Sequence, residues 1–208
     1  MITLVGNLKG GTGKSTVTFN LALWTATRQN ARVVVYDLDP QATTSDAFEI
    51  RREEGYLPQI SPLQSVDTLG EEGEHTQVLV DIGVSGQAAM EVAIRKADRL
   101  LIPVSPSQAD VWSTQRFMKM VADIRGEDNP LLALAVLNRA DTHVAVRETD
   151  ETAEALQQLG NIRLLDTRLY LRTTYRRSFS EGLAVFEMEP RSKAAAEVDA
   201  LGRELYGI

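Results

Sequence analysis

The chain has 208 residues, of which 43% are hydrophobic and 25% charged, and this size favours one globular domain over residues 1–208. It contains no cysteine, which excludes disulfide scaffolds, thiol catalysis and cysteine-held metal or iron–sulfur sites. Its net charge of −7 argues against nucleic acid or anionic lipid binding over the whole surface, so such binding needs a local basic patch. The longest apolar run, 131–137, is too short to span a bilayer.

Short apolar segments alternate along the chain with longer amphipathic segments. The apolar segments predict buried strands at 2–5, 33–36, 78–82, 100–104 and 132–137. Helices are predicted at 15–28, 43–48, 86–96, 107–125, 144–159, 173–181 and 191–206. Strands that are apolar on both faces and joined by crossover helices indicate an α/β fold with a mostly parallel sheet and helices on both faces. Ligands of such sheets bind beyond the carboxyl ends of the strands.

Residues 51–75 interrupt this alternation with several prolines and glycines and a local charge of −4. The segment is predicted to be a solvated loop with one edge strand near 57–60. A contact with a basic partner is the alternative for this acidic segment.

A glycine-rich sequence, KGGTGKST at residues 9–16, follows the first predicted strand and precedes a predicted helix. A phosphate-binding P-loop requires this order, because its glycines let backbone N–H groups converge on phosphate oxygens at a helix N-terminus. The side chain of Lys14 is predicted to bridge the β- and γ-phosphates, and the Ser15 hydroxyl to ligate Mg²⁺. The predicted nucleotide-binding residues here are Gly10, Gly11, Thr12, Gly13, Lys14, Ser15 and Thr16.

The loop departs from the strict P-loop pattern, because Leu8 stands where the first glycine belongs and Lys9 follows it. With this second lysine, the segment resembles the deviant Walker A motif of the ParA/MinD family of P-loop ATPases. The resemblance implies that ATP and Mg²⁺ are the cofactors. It also implies that Lys9 is a catalytic residue that reaches across an ATP-bound homodimer to the partner's phosphates.

Two further strand ends agree with this family. The sequence VVVYDLDPQ at 33–41 places Asp37 and Asp39 on the same side of a strand end and resembles the family's DxDPQ element. The resemblance implies that Asp39 positions the attacking water and that Asp37 supports the Mg²⁺ shell. The segment VLVDIG at 78–83 resembles a Walker B strand, so Asp81 is a predicted Mg²⁺ ligand. Gly83 replaces a proline that the family often has, and is a predicted amide donor to the γ-phosphate.

The strand predicted at 132–137 ends in Asn138, which resembles the family's adenine-reading asparagine. Its amide side chain offers both a donor and an acceptor to an adenine edge. An asparagine at a strand end is also a common turn former, which is the alternative for this residue.

A basic segment at 163–177 holds five arginines against the single acid Asp166. The resemblance implies that the ATP-bound dimer binds non-specific double-stranded DNA through basic residues near its C-terminus. Two of them, Arg172 and Arg176, are predicted to share one helix face. The alternative is a solvated surface paired with neighbouring acids. The candidate DNA-binding residues are Arg168, Arg172, Arg176, Arg177 and Lys193.

The predicted function is an ATP-dependent dimerising switch whose hydrolysis is stimulated by a ParB-like or cargo-adaptor protein. Such a switch would partition plasmid or chromosomal DNA, or position a protein cargo over the nucleoid, in the cytoplasm. Residues 197–208 carry three acids and one arginine, and no DNA-reading module precedes the P-loop, so membrane and operator binding are not expected. The alternatives are a MinD-like membrane-associated positioning ATPase and a metabolic ATP-dependent ligase.

Overall fold

A computed structural model describes residues 1–126, 128–143 and 146–208. The strands within these residues are β1 (Ile2–Val5), β2 (Arg32–Asp37), β3 (Thr76–Asp81), β4 (Arg99–Val104), β5 (Leu132–Ala140) and β6 (Arg163–Tyr170). The helices are α1 (Lys14–Arg28), α2 (Thr43–Glu53), α3 (Gln87–Lys96), α4 (Gln108–Arg125), α5 (Glu148–Gln157), α6 (Thr173–Ser180), α7 (Val185–Met188) and α8 (Lys193–Tyr206).

The six strands form one sheet in the order β2-β3-β1-β4-β5-β6, and every neighbouring pair is parallel. This arrangement confirms the α/β fold class with a parallel sheet. In the register of β2 with β3, Asp37 lies opposite Asp81, and Val5 of β1 lies on the other side of Asp81. The carboxyl ends of β1, β2 and β3 therefore meet at one edge of the sheet.

The sheet is covered on both faces by helices that bury its apolar side chains. One cluster joins the sheet to α3, α4 and α5, and the other joins it to α1, α2, α7 and α8. Trp24 lies in the second cluster, stacked on Tyr206 and packed against Gly202, where an added Cβ would lie 2.4 Å from the indole ring. In contrast, Trp112 on α4 is 54% exposed. No helix formed by the described residues is both long and apolar enough to cross a membrane.

The predicted elements differ from the structure at residues 57–60 and at β6. The edge strand predicted near 57–60 is wrong: the chain instead makes one parallel bridge from Leu63 to Tyr36, because the backbone of Leu63 bonds to both Val35 and Asp37. The strand β6 was not predicted, because it is an edge strand with only Leu165 and Leu169 fully buried among polar residues. The helix predicted at 144–159 is α5, and residues 144 and 145 of that prediction lie outside the described residues.

One buried arginine ties the loop after α2 to the C-terminal part of the chain. The guanidinium of Arg51 is 1% exposed and pairs with both carboxylate oxygens of Glu187 at 2.8 Å. It also donates to the carbonyls of Pro58, Leu57 and Gly182. Because each nitrogen of the guanidinium donates to at least one acceptor, Arg51 connects α2 firmly to α7.

Candidate nucleotide-binding site

The P-loop connects β1 to α1, and its conformation depends on Gly13. This residue caps α1 in the left-handed region, with φ 85°, where a side chain is strained. A Cβ at Gly13 would also lie 2.3 Å from Nδ2 of Asn138. The close packing of Asn138 on the loop therefore requires glycine, and α1 begins at Lys14 with its free N–H groups directed at the loop.

A cavity of about 890 Å³ opens in front of this loop, within the range of small-molecule sites. The side chain of Lys14 is buried, and its Nζ donates to the carbonyl of Lys9 at 3.3 Å, so the cation lies across the loop. The cavity wall includes Gly10, Gly11, Gly13, Lys14, Ser15, Thr16, Asp39, Asn138, Arg139, Tyr175 and Arg176. The structure thus brings most of the predicted nucleotide-binding residues to one cavity.

Asp81 is fully buried at the end of β3, and only one of its two carboxylate oxygens has a hydrogen-bond partner among the described residues. Its Oδ2 accepts a hydrogen bond of 2.7 Å from Thr44, whereas Oδ1 has no hydrogen-bond partner among the described residues. Burial raises the pKa of Asp81 to about 6, although the hydrogen bond from Thr44 and the nearby Ser15 hydroxyl oppose the shift. A buried carboxylate oxygen without a partner beside the Ser15 hydroxyl fits Mg²⁺, which binds hard oxygen ligands.

Asp37 is buried beside Asp81, but its carboxylate already accepts hydrogen bonds from the first turn of α2. Its Oδ2 accepts from the backbone N–H of Ser45 at 2.7 Å and from the Ser45 hydroxyl at 2.8 Å. Burial raises the pKa of Asp37, and the two hydrogen bonds from Ser45 act in the opposite direction. This geometry favours an indirect contribution of Asp37 to a metal shell, by its charge.

Asp39 reaches the cavity from the loop after β2. It is partly exposed, and its Oδ1 accepts from the backbone N–H of Gln41 at 3.0 Å. Gly83 lies directly against it, because a Cβ there would come within 2.5 Å of the Asp39 carboxylate. The loops after β2 and β3 are therefore in contact at the carboxylate predicted to position water.

Asn138 and Arg139 connect the end of β5 to the P-loop. The amide of Asn138 donates to the carbonyl of Thr12 at 2.6 Å and accepts from the backbone N–H of Arg139 at 3.0 Å. The guanidinium of Arg139 donates to the carbonyl of Gly11 at 2.7 Å. Asn138 thus supports the loop in this structure, and its contact with adenine stays a prediction.

The Lys9 side chain points to α4 of the same chain, where its Nζ pairs with the carboxylate of Asp110. Sequence reasoning did not identify Asp110, nor Thr44, Ser45 and Arg139, because each acts through a contact that the fold creates. Thr44 and Ser45 offered one signal: they are hydroxyl residues at a helix start directly after the DPQ sequence.

The arginine-rich segment does not form the predicted stripe. Arg172 is wrong as a helix-face partner of Arg176, because it precedes α6 in an extended conformation and pairs with Glu197 at 2.6 Å. Arg168 pairs with Asp150 at 2.7 Å and Arg177 with Glu189 at 3.6 Å.

The remaining two candidates, Arg176 and Lys193, are exposed and have no ion pair within the described part of the chain. They lie at different places: Arg176 borders the nucleotide cavity and Lys193 borders a second groove with Arg168, whereas Arg172 borders both. The basic charge of this region is therefore divided between two surfaces.

The glycine loop, the paired lysines and the converging carboxylates on a parallel sheet define a P-loop nucleotide-binding domain. The chain belongs to the family described as CobQ/CobB/MinD/ParA nucleotide binding domain, whose model matches residues 3–185.

Within that family, this chain is similar to "Maintenance of carboxysome distribution protein A" of Halothiobacillus neapolitanus, with 29% identity over 93% of this chain and 90% of the relative. Its fold is similar to that of apo McdA from Cyanothece, with a TM-score of 0.78 and 16% identity over 98% of each chain. It is also similar to MinD complexed with Mg-ADP from Pyrococcus horikoshii, with a TM-score of 0.76 and 19% identity over 98% of this chain and 95% of that one.

Proposed function

We propose that this protein is a Mg²⁺-dependent ATPase that forms a homodimer around ATP, binds non-specific DNA in that state and releases it after hydrolysis. The observation that carries the proposal is the cavity lined by Lys14, Ser15 and Asp39. The buried Asp81 carboxylate lies close to Lys14 and Ser15, and a second lysine, Lys9, lies in the same loop. A P-loop alone supports nucleotide binding. The second lysine supports a site that two subunits complete.

In the proposed mechanism, the P-loop N–H groups and Lys14 bind the phosphates, and the Ser15 hydroxyl and the Asp81 carboxylate would hold the metal ion. When bound, Mg²⁺ supplies positive charge against the β- and γ-phosphate oxygens. Asp39 orients the attacking water, because its carboxylate lies at the cavity and has one oxygen not engaged by Gln41. Lys9 adds positive charge at the partner's phosphates, which stabilises the transition state.

The proposed cargo is a protein assembly rather than a plasmid. Two similar proteins, from Halothiobacillus neapolitanus and Gloeobacter kilaueensis, are named for the maintenance of carboxysome distribution, and each aligns over more than nine tenths of this chain. We propose that a cargo-adaptor protein, in the role that ParB has for DNA cargo, stimulates hydrolysis and so moves the cargo over the nucleoid.

DNA is favoured over a membrane as the surface to which the dimer binds. The apolar face of α8, with Val198, Leu201 and Leu205, is buried against the protein core and is not available to lipid. Among the basic candidates, Arg176 and Lys193 keep an exposed charge without an ion pair in the described residues, which suits phosphate contacts.

The test is binding of a random-sequence DNA duplex with ATP, with ADP and without nucleotide, across a salt titration. The proposal expects binding with ATP only, weakened by salt and further weakened in an Arg176→Ala/Lys193→Ala variant. A matched control is Arg116→Ala/Lys119→Ala, which removes two exposed charges from α4. Equal binding in all nucleotide states, or no binding together with ATP-dependent sedimentation on anionic liposomes, would contradict the proposal.

A further inference from the structure

Lys9 is held by a carboxylate that is almost completely buried in its own subunit. The side chain of Asp110 is 2% exposed, whereas that of Lys9 is 41% exposed. Besides Lys9, the Asp110 side chain binds only the hydroxyl of Ser107, and its Oδ1 has no hydrogen-bond partner among the described residues. Lys9 is thus the one cation paired with this buried charge within the described part of the chain.

A second contact fixes the backbone of the same loop to α4. Asn7 is fully buried, and its Oδ1 accepts from the backbone N–H of Lys9 at 3.2 Å and from the Ser113 hydroxyl at 3.1 Å. The start of the P-loop therefore stays on α4 whichever way the Lys9 side chain points. The side chain alone is free to change its partner.

The Asp110 carboxylate has favourable contacts besides the one with Lys9. It lies in the first turn of α4, where the helix dipole favours an anion, and Ser107 caps the helix and also donates to the carboxylate. The pair is therefore a separable contact, not a permanent element of the core. Separating it costs free energy, because a buried carboxylate loses its counter-ion.

We propose that Asp110 is a positioning residue that holds Lys9 within each single subunit and releases it only when the ATP-bound dimer forms. This inference rests on the proposed function, because it assumes that Lys9 acts on the partner's nucleotide. An ammonium paired with a buried carboxylate of its own subunit is withheld from a second subunit. The contact with Asp110 therefore opposes dimerisation until the partner's phosphates offer Lys9 a stronger anionic site.

The test compares dimer dissociation constants in a non-hydrolysable ATP analogue with Mg²⁺, measured by sedimentation. Asp110→Asn keeps the size and the Ser107 hydrogen bond but removes the charge, so it should dimerise about tenfold more tightly, equivalent to about 1.4 kcal/mol. The matched control is Asp123→Asn, which removes an exposed charge from the same helix and should dimerise like the wild type. Asp110→Ser, which removes the carboxylate with a smaller side chain, should change dimerisation in the same direction as Asp110→Asn.

A double-mutant cycle separates this role from a structural one. Lys9→Ala should weaken dimerisation, and Lys9→Ala/Asp110→Asn should weaken it to the same extent, because the effect of Asp110 passes through Lys9. The inference is overturned if the Asp110 variants dimerise no more tightly than the wild type, or if their gain persists without Lys9. If the wild type itself does not dimerise with the ATP analogue, the proposed function fails and the inference fails with it.

Discussion

The nucleotide end of the sheet and the arginine-rich segment 163–177 both collect charged and polar groups, but they use them differently. At the nucleotide end, the buried atoms Thr12 Oγ1, Asp81 Oδ1 and Asp110 Oδ1 have no hydrogen-bond partner within the described residues. In the arginine segment, Arg168, Arg172 and Arg177 each pair with a carboxylate from another part of the chain. Several buried polar atoms without a partner at one end of the sheet are consistent with a bound ligand there, whereas a run of arginines in the sequence can be balanced by acids of the same protein.

The largest effect is expected at the nucleotide end, from Lys14→Ala. Because Lys14 is the buried cation across the P-loop, its loss should reduce ATP turnover about a thousandfold, the upper range for one preorganised charged donor. Steady-state phosphate release measures it. Lys119→Ala, at an exposed lysine of α4, is the control and should turn over like the wild type. Equal turnover in Lys14→Ala and Lys119→Ala would contradict a role of Lys14 in ATP hydrolysis.

The buried ion pair that holds α2 to α7, outside both regions, is tested by Arg51→Met. This substitution leaves Glu187 without its cation and three carbonyls without a donor, so unfolding free energy should fall by about 3 kcal/mol. Urea denaturation measures the change. At the neighbouring exposed pair with Glu49, Arg52→Met should leave the unfolding free energy close to that of the wild type. Similar losses in the two variants would mean that Arg51 contributes no more than a surface ion pair.

A smaller effect is expected from Thr44→Val, which removes the hydrogen bond to Asp81 while keeping the shape of the side chain. Because Thr44 orients a carboxylate that would bind the metal, its loss should weaken the affinity for Mg²⁺ about tenfold and raise the Mg²⁺ concentration needed for half-maximal turnover. Titration of turnover with Mg²⁺ at saturating ATP measures it. The control is Thr27→Val, at an exposed threonine of α1 outside the cavity. An unchanged Mg²⁺ requirement in Thr44→Val would contradict a role for the Thr44 hydrogen bond in holding Asp81 at the metal.

The smallest effect separates two arginines of the basic segment. Arg176→Ala should lower the salt dependence of DNA binding by about one counterion, because its charge is exposed and has no ion pair in the described residues. Arg172→Ala should leave that slope unchanged, because Glu197 already balances Arg172. Fluorescence anisotropy at several salt concentrations measures both slopes. A larger change in slope for Arg172→Ala than for Arg176→Ala would contradict this assignment and favour a DNA contact by Arg172.

The same contrast explains how far sequence reasoning reaches. Gly13, Lys14 and Ser15 act through backbone conformation and neighbours in the chain, so a local string identifies them. Arg172 and Lys9 are different, because their counter-ions Glu197 and Asp110 are distant in sequence and only the fold brings them close. The edge strand β6 was missed for a related reason: its burial depends on α8 and β5, and its own residues are mostly polar.

The central claim is that ATP controls the association of two subunits through Lys9. The most direct test is sedimentation equilibrium of the wild type and Lys9→Ala with Mg-ATP, with Mg-ADP and without nucleotide, alongside a direct measurement of ATP binding. We predict that the wild type is dimeric only with Mg-ATP. Lys9→Ala should still bind ATP but dimerise much more weakly, so that it is monomeric at a concentration at which the wild type is dimeric. One association state for the wild type under all three conditions, or normal dimerisation of Lys9→Ala, would contradict the account.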